Sequence, residues 1–195
     1  SISDNGRGIP VDPHPLNPNK SALEVICTTL HAGGKFNNNN NYLVSGGLHG
    51  VGLSVVNALS ESLIVEIARN KTLWKQEYIR GKPITPIKKI GKTSNRRGTK
   101  IIFKPDSIIF GSNLFFNQQI LSDMAKSKAY LFKGVVIKWS SKINLNLKNE
   151  TPTCIYKFPN GIADYLKEYM EDRIHITTTP FEGNTIDKKN SEGVE

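Results

Sequence analysis

Apolar positions along this chain change period as it proceeds, and each change marks an element. From Ser21 to Leu30 they recur at helical spacing as Ala22, Val25, Ile26 and Leu30, with Ser21 placed as a cap and Glu24 three residues on. A second helix is predicted where Leu53, Val55, Val56, Ala58 and Leu59 follow a glycine-rich stretch. The period then shortens. Leu63 to Ala68, Thr72 to Arg80 and Lys100 to Phe103 alternate or carry β-formers, while Gly81-Lys82-Pro83 and Ser94 to Gly98 read as turns, which predicts antiparallel strands. Ser1-Ile2-Ser3 is a short strand-like run. Further on, Phe115 to Tyr130 predicts a helix, Val135 to Trp139 and Cys154 to Phe158 strands, and Gly161 to Tyr169 a last helix after an Asn-Gly start. The fold class expected is α+β: a two-layer α/β sandwich with a mostly antiparallel mixed sheet and helices on one face.

Composition narrows this only a little. A chain of 195 residues that is 37% apolar exceeds one typical domain and can fill a core. Its 26 basic against 17 acidic residues, a net charge of +9, favour a polyanionic neighbour such as DNA. The lysines are scattered, however, and a solvated basic surface accounts for them equally well. Cys27 and Cys154 stand far apart in apolar surroundings, so buried reduced thiols are expected in place of a disulfide or metal site. There is no apolar run of membrane-spanning length, and the first residues lack the charged and apolar regions of a signal peptide.

Chemistry concentrates in two places. Ser45 to Gly52 reads Ser-Gly-Gly-Leu-His-Gly-Val-Gly and runs straight into the second helix. Glycines let the backbone bend through φ > 0 and admit a bulky anion to the amides, which suits a polyphosphate; a turn before a buried helix is the plainer reading. At the start of the chain a strand-like run leads into Asp4-Asn5-Gly6-Arg7-Gly8-Ile9-Pro10. A partly buried carboxylate there accepts hydrogen bonds and cannot donate, so it fits the exocyclic amine of adenine, with Gly6 and Gly8 leaving room for the base. Taken alone, Asp-Asn-Gly is also a common turn. No P-loop, zinc helix, nucleophile elbow or paired Cys-x-x-Cys occurs, and Gly47, Gly50 and Gly52 fall in a different order from the dinucleotide-binding fingerprint.

Together, Asp4 to Pro10, His31-Ala32-Gly33-Gly34-Lys35-Phe36, Ser45 to Ser60 and Arg97-Gly98-Thr99 before Lys100 to Phe103 resemble the ATPase region of bacterial-type type II topoisomerases, the B subunits of DNA gyrase and topoisomerase IV. The resemblance covers nearly the whole chain, strongly as far as Thr99. It implies the GHKL (Bergerat) type of sandwich, ATP as ligand and a role for each motif residue. Asp4 would bond the adenine amine, with Gly8 and Thr99 completing a water-bridged contact, and Ile2, Ile9, Pro10, Ile26 and Ile101 would line an apolar slot. Amides from Gly47 through Gly52, including Leu48, His49, Gly50 and Val51, would hold the phosphates. Lys35 would add charge from a lid that includes the polar run Asn37 to Asn41, expected to be readily disordered without ligand, and Tyr42 would touch the base edge. Arg7 and Arg69 would stand at the pocket mouth, where aminocoumarin-type inhibitors bind in relatives, and His31 and His49 would be positional.

The same resemblance implies what stands elsewhere. The general-base Glu and the Mg²⁺-binding Asn of the family precede the Asp-x-Gly-x-Gly strand, so they are expected upstream of Ser1, and no residue here is assigned as the catalytic base. Residues 1–175 are expected to be the ATPase domain without its N-terminal helix, and 176–195 the start of a transducer domain or a disordered tail. For the intact protein the family implies an ATP-dependent homodimer clamping DNA, a gyrase A subunit in a heterotetramer of two A and two B subunits, and no membrane. Asn-, Ile- and Lys-rich composition suggests AT-rich coding, hence an apicoplast or a bacterial cytoplasm. The readings left open are a topoisomerase IV B subunit, a chaperone-like or mismatch-repair-like ATPase of the same superfamily, and a non-catalytic basic nucleic-acid-binding module. Because water activation needs a base within hydrogen-bond reach, the 195-residue chain by itself is expected to hydrolyse ATP negligibly; robust Mg²⁺-dependent phosphate release in a coupled assay would refute this.

Overall fold

The computed structural model describes residues 1–32, 49–142, 153–171, 173, 181, 183, 185–187 and 192–194. They belong to two compact units, residues 1–114 and 115–195. The polar run Asn37 to Asn41 lies outside the described residues.

In the first unit, β1 (Ile2–Ser3) precedes a hairpin of β2 (Pro13–His14) and β3 (Asn17–Ser21), then helices α1 (Ala22–Thr28) and α2 (Gly52–Ala58). There follow β4 (Ser60–Arg69), β5 (Thr72–Ile79), β6 (Lys82–Pro83), β7 (Lys88–Lys92), β8 (Gly98–Pro105) and the single turn α3 (Ser107–Phe110). Six strands form one sheet in the order β1-β8-β4-β5-β6, with β7 also paired to β5, and each of these pairings is antiparallel.

Register explains the core. Leu63 stands opposite Phe103 and Tyr78, Val65 opposite Ile101 and Gln76, Ile67 opposite Thr99 and Trp74, so three cross-strand rows share one face of the sheet. Against that face pack Leu23 and Cys27 of α1 together with Leu53 and Val56 of α2. Helices therefore cover one face, as the pattern predicted. Burial pushes the Cys27 thiol up to about 11, which keeps it protonated at neutral pH. Cys154, by contrast, is only half-buried, because its strand belongs to a two-stranded ladder.

Local chemistry sets the boundaries. Ser21 caps α1 by accepting from the Glu24 amide at 3.1 Å. Asn70-Lys71 and Arg80-Gly81 all have positive φ, the geometry of two-residue hairpins, and they join β4 to β5 and β5 to β6. Gly81-Lys82-Pro83, predicted as a turn, thus continues into strand β6. The predicted strands were also incomplete: β7, the β2–β3 hairpin and α3 were not anticipated.

One end of the sheet holds α2 in place. The Ser60 hydroxyl donates to the Val56 carbonyl at 2.6 Å, the Asn57 amide to the Cys27 carbonyl at 2.9 Å, and a Cβ at Gly81 would lie 3.3 Å from the Ala58 Cα. Beside them, buried Asp106 caps α3 through the Ile108 amide and pairs with Arg80 at 2.5 Å.

The second unit contains α4 (Gln118–Leu131), β9 (Val136–Ser140), β10 (Thr153–Lys157), α5 (Ile162–Met170) and the short pair β11 (Thr185–Asp187) and β12 (Glu192–Val194). Tyr130 of α4 is buried, stacks on Phe158 with ring centroids 3.6 Å apart and meets Tyr165 edge-on. Its hydroxyl donates to Glu168, which also pairs with Lys126. No described helix is long and apolar enough to cross a membrane.

Arg80, together with the Ile108 amide, holds the Asp106 carboxyl below its ordinary value of 3.8. A depressed carboxyl contributes stability that is complete above the unfolded value and is lost as pH falls through the folded one. Asp106→Asn should therefore melt lower than the parent at pH 7, with the gap closing below about pH 4. Thermal melts from about pH 2.5 to 7 check this, and a gap independent of pH would contradict it.

Candidate functional site

Asp4 leaves the end of β1 and is fastened to the first residues of β8. Its amide donates to the Thr99 carbonyl at 2.9 Å, and its Oδ1 accepts from the amides of Thr99 at 3.2 Å and Gly6 at 2.8 Å. Both bonds fall on one oxygen, so Oδ2 is left without a partner among the described residues. Fixed this way, the carboxylate offers an acceptor of set direction. It is exposed, where partial burial was expected, because β1 is the edge strand of the sheet.

Gly98 makes that junction possible. Its φ is +111, and a Cβ there would lie 2.0 Å from the Asp4 carbonyl oxygen and 2.8 Å from Oδ1. Gly8 is similar at φ +74, with a Cβ meeting Ile67 at 3.0 Å and the Ala68 carbonyl at 3.2 Å. Thr99 is buried, and its hydroxyl accepts from the Ile9 amide at 3.3 Å. The structure thus gathers Asp4, Gly8, Ile9 and Thr99 into one cluster, and Ile9 and Ile101 continue it into the core.

Three guanidinium groups belong to the same loop or attach to it. Arg69 Nη1 donates to the carbonyls of Gly8 at 2.9 Å and Arg7 at 3.3 Å, and Arg97 Nε to that of Asn5 at 3.0 Å. Arg69 Nε is buried without a hydrogen-bond partner among the described residues. The approach to Asp4 is therefore cationic, which favours an anionic ligand. Arg97 and Gly98 were read only as part of a motif; the available signal was a glycine two positions before the predicted strand Lys100 to Phe103.

The remaining expected residues form other groups. Ile2 stands opposite Ile101 but is 69% exposed, Pro10 is exposed, and Ile26 is half-buried on α1. His49, Gly50, Val51 and Gly52 lead into α2, where the Ser54 hydroxyl donates to the Val51 carbonyl at 3.0 Å. That turn is tied to the stretch after α1 by a 2.8 Å bond between His31 Nδ1 and the His49 carbonyl. Lys35, Tyr42, Gly47 and Leu48 lie outside the described residues. Among the described residues no three His, Cys, Asp or Glu side chains converge on a site that could hold a metal ion.

Residues 1–108, the span that carries this cluster, match the family model of histidine kinase-, DNA gyrase B- and HSP90-like ATPases. The chain belongs to this ATPase family. Similar proteins include the B subunit of DNA topoisomerase 4 from Bartonella bacilliformis, 46% identical over 95% of this chain and 27% of the relative. The corresponding protein of Caulobacter vibrioides is 50% identical over 94% of this chain and 26% of the relative, and the DNA gyrase B protein of Thermotoga maritima 46% over 91% and 27%. The chain thus spans about a quarter of the length of these curated relatives. Among solved structures it is similar to the 43K ATPase domain of Thermus thermophilus gyrase B in complex with an aminocoumarin, with a TM-score of 0.75 and 31% identity. That match covers 95% of this chain and 44% of the other. The α+β class expected from the pattern, and the ATPase type of fold implied by the resemblance, are those of this family member. These relatives are bacterial, and none supports the plastid expectation.

Gly98→Ala should destabilise the first unit by at least about 3 kcal/mol, since it adds left-handed strain to a backbone clash. Gly91→Ala, in open space on β7, should stay within about 0.5 kcal/mol of the parent. Urea unfolding of both variants checks the contrast; equal midpoints would show that the Asp4 junction tolerates a side chain.

Proposed function

We propose that this chain is the ATP-binding region of the B subunit of a bacterial-type type II topoisomerase, gyrase or topoisomerase IV. The observation that carries the reading is the Asp4 carboxylate, held by two amides through one oxygen and free at the other, in a family of ATPases. In this reading Oδ2 of Asp4 accepts from the adenine amine, and Thr99 and Gly8 complete the polar contact. Ile9 and Ile101, with Ile26, Ile2 and Pro10, provide the apolar surface beside the base. Amides of Gly47 through Gly52 and the Lys35 ammonium meet the phosphates, Tyr42 meets the base edge, and Arg7 and Arg69 flank the entrance. An aminocoumarin would take the adenine end and the arginines, as a gyrase B domain of the same fold is known in complex with one.

ATP in such a protein works as a clamp. Binding a triphosphate that bridges two elements can bias a two-state closure, so that nucleotide binding brings two copies together around DNA and hydrolysis reopens them. DNA, an A subunit, Mg²⁺ accompanying the triphosphate and a bacterial cytoplasm complete the proposal. The ATPase domain would run from residue 1 to 175, past the end of α5 at Met170, with 176–195 opening the next domain.

Calorimetric titration separates this from a plain nucleic-acid-binding module. A non-hydrolysable ATP analogue and an aminocoumarin should both bind, and Asp4→Asn should weaken both at least about thirtyfold by presenting an amide where an acceptor is required. Salt-sensitive DNA binding with no affinity for either ligand would reject the ATPase reading.

A further inference from the structure

We propose that His31 is a positioning residue for the nucleotide's phosphates, acting through the peptide group that joins His49 to Gly50. The inference rests on the ATP reading given above.

A carbonyl oxygen can only accept, so the 2.8 Å contact between His31 Nδ1 and the His49 carbonyl requires the ring to carry its proton on Nδ1 and donate it. The carbonyl of His49 and the N–H of Gly50 belong to one planar trans peptide and point in opposite directions. Holding the oxygen on one side therefore turns the Gly50 N–H to the other. That N–H makes no hydrogen bond to any described residue, and Gly50 itself bends the chain at φ +62. His49 and Gly50 lie outside any helix or strand, so the imidazole is what fixes this peptide plane among the described residues. His31 sets the direction of a donor it does not itself possess.

Backbone strain at His31 agrees with this. Its φ is +60, a left-handed conformation that L-residues adopt at a cost and that His, Asn and Asp tolerate better than most. Three residues past the end of α1, that conformation places the ring to reach across eighteen positions of sequence to the turn before α2. The ring is exposed and adds nothing to the core, so packing does not account for it. Nor is the bond needed to hold α2, which is already fixed through Asn57, Ser60 and the Ala58–Gly81 approach.

Two variants separate the roles. Asn accepts positive φ and places an amide donor near the position of Nδ1, whereas Gly accepts positive φ and has no donor. Titrating the purified protein with a non-hydrolysable ATP analogue, His31→Gly should weaken binding about tenfold, and His31→Asn should stay within about threefold of the parent. Adenosine, which has no phosphates, should bind both variants as it binds the parent, and neither variant should melt below the parent. Equal affinity of parent and His31→Gly for the analogue would overturn the proposal, as would loss by both variants alike or a parallel loss of adenosine binding. If the parent binds neither analogue nor adenosine, the ATP reading itself fails and the role of His31 falls with it.

Discussion

The seam between β1 and β8 is the constraint on which the site depends. A two-residue strand has little pairing of its own, and it keeps its place because the Asp4 amide and carboxylate both bond to Thr99 across the gap left by a glycine. Backbone and side chain are fastened together there. Any atom added at Gly98 would occupy the space of the Asp4 carbonyl, so the direction of the carboxylate, the entry of the following loop and the closeness of the strands are one property. The loop then returns to the same point: Ile9 donates to the Thr99 hydroxyl, and Arg69 holds the carbonyls of Arg7 and Gly8.

A second group is organised on the helical layer. Helix α2 is short and has no side-chain cap, so its own hydrogen bonds do little to fix it. Tertiary contacts do so instead, through the Asn57 amide on α1, the Ser60 hydroxyl behind it and the glycine hairpin beneath. Both groups rest on one core: Ile9 and Ile101 touch it from the Asp4 side, Leu53 and Val56 from α2. A ligand that engages the carboxylate and the glycine turn together would therefore bind against two rigid supports joined by packed side chains. Such joining is what a nucleotide-driven switch requires.

Much of this was legible in the residues because periodicity and capping agree with the tertiary structure. Ser21 caps the helix it was expected to cap, and β4, β5 and β8 match the predicted strands to within a few residues at their ends. The elements not anticipated have physical reasons to be quiet. Strands β2, β3 and β6 contain Pro13, Pro18 and Pro83, which argue against strand, and each lies in a hairpin where a missing donor costs little. β7 reads Lys-Lys-Ile-Gly-Lys, without alternation, and is a strand because β5 offers it an edge. Asp4 stood out from its motif as the expected acceptor, but its exposure and the steric role of Gly98 follow from strand order, which no local pattern encodes. Asn57, an amide within an apolar helical face, was passed over, since only the meeting of two helices gives it a partner.

The claim most open to a single test is that the Asp4 carboxylate and the turn before α2 hold opposite ends of one nucleotide. A crystal structure of the protein with a non-hydrolysable ATP analogue addresses it directly. Electron density should place the adenine amine against Asp4 Oδ2 and the phosphates against the amides of Gly50 through Gly52, in one continuous ligand. A nucleotide seated elsewhere, or one touching only one of the two groups, would contradict it.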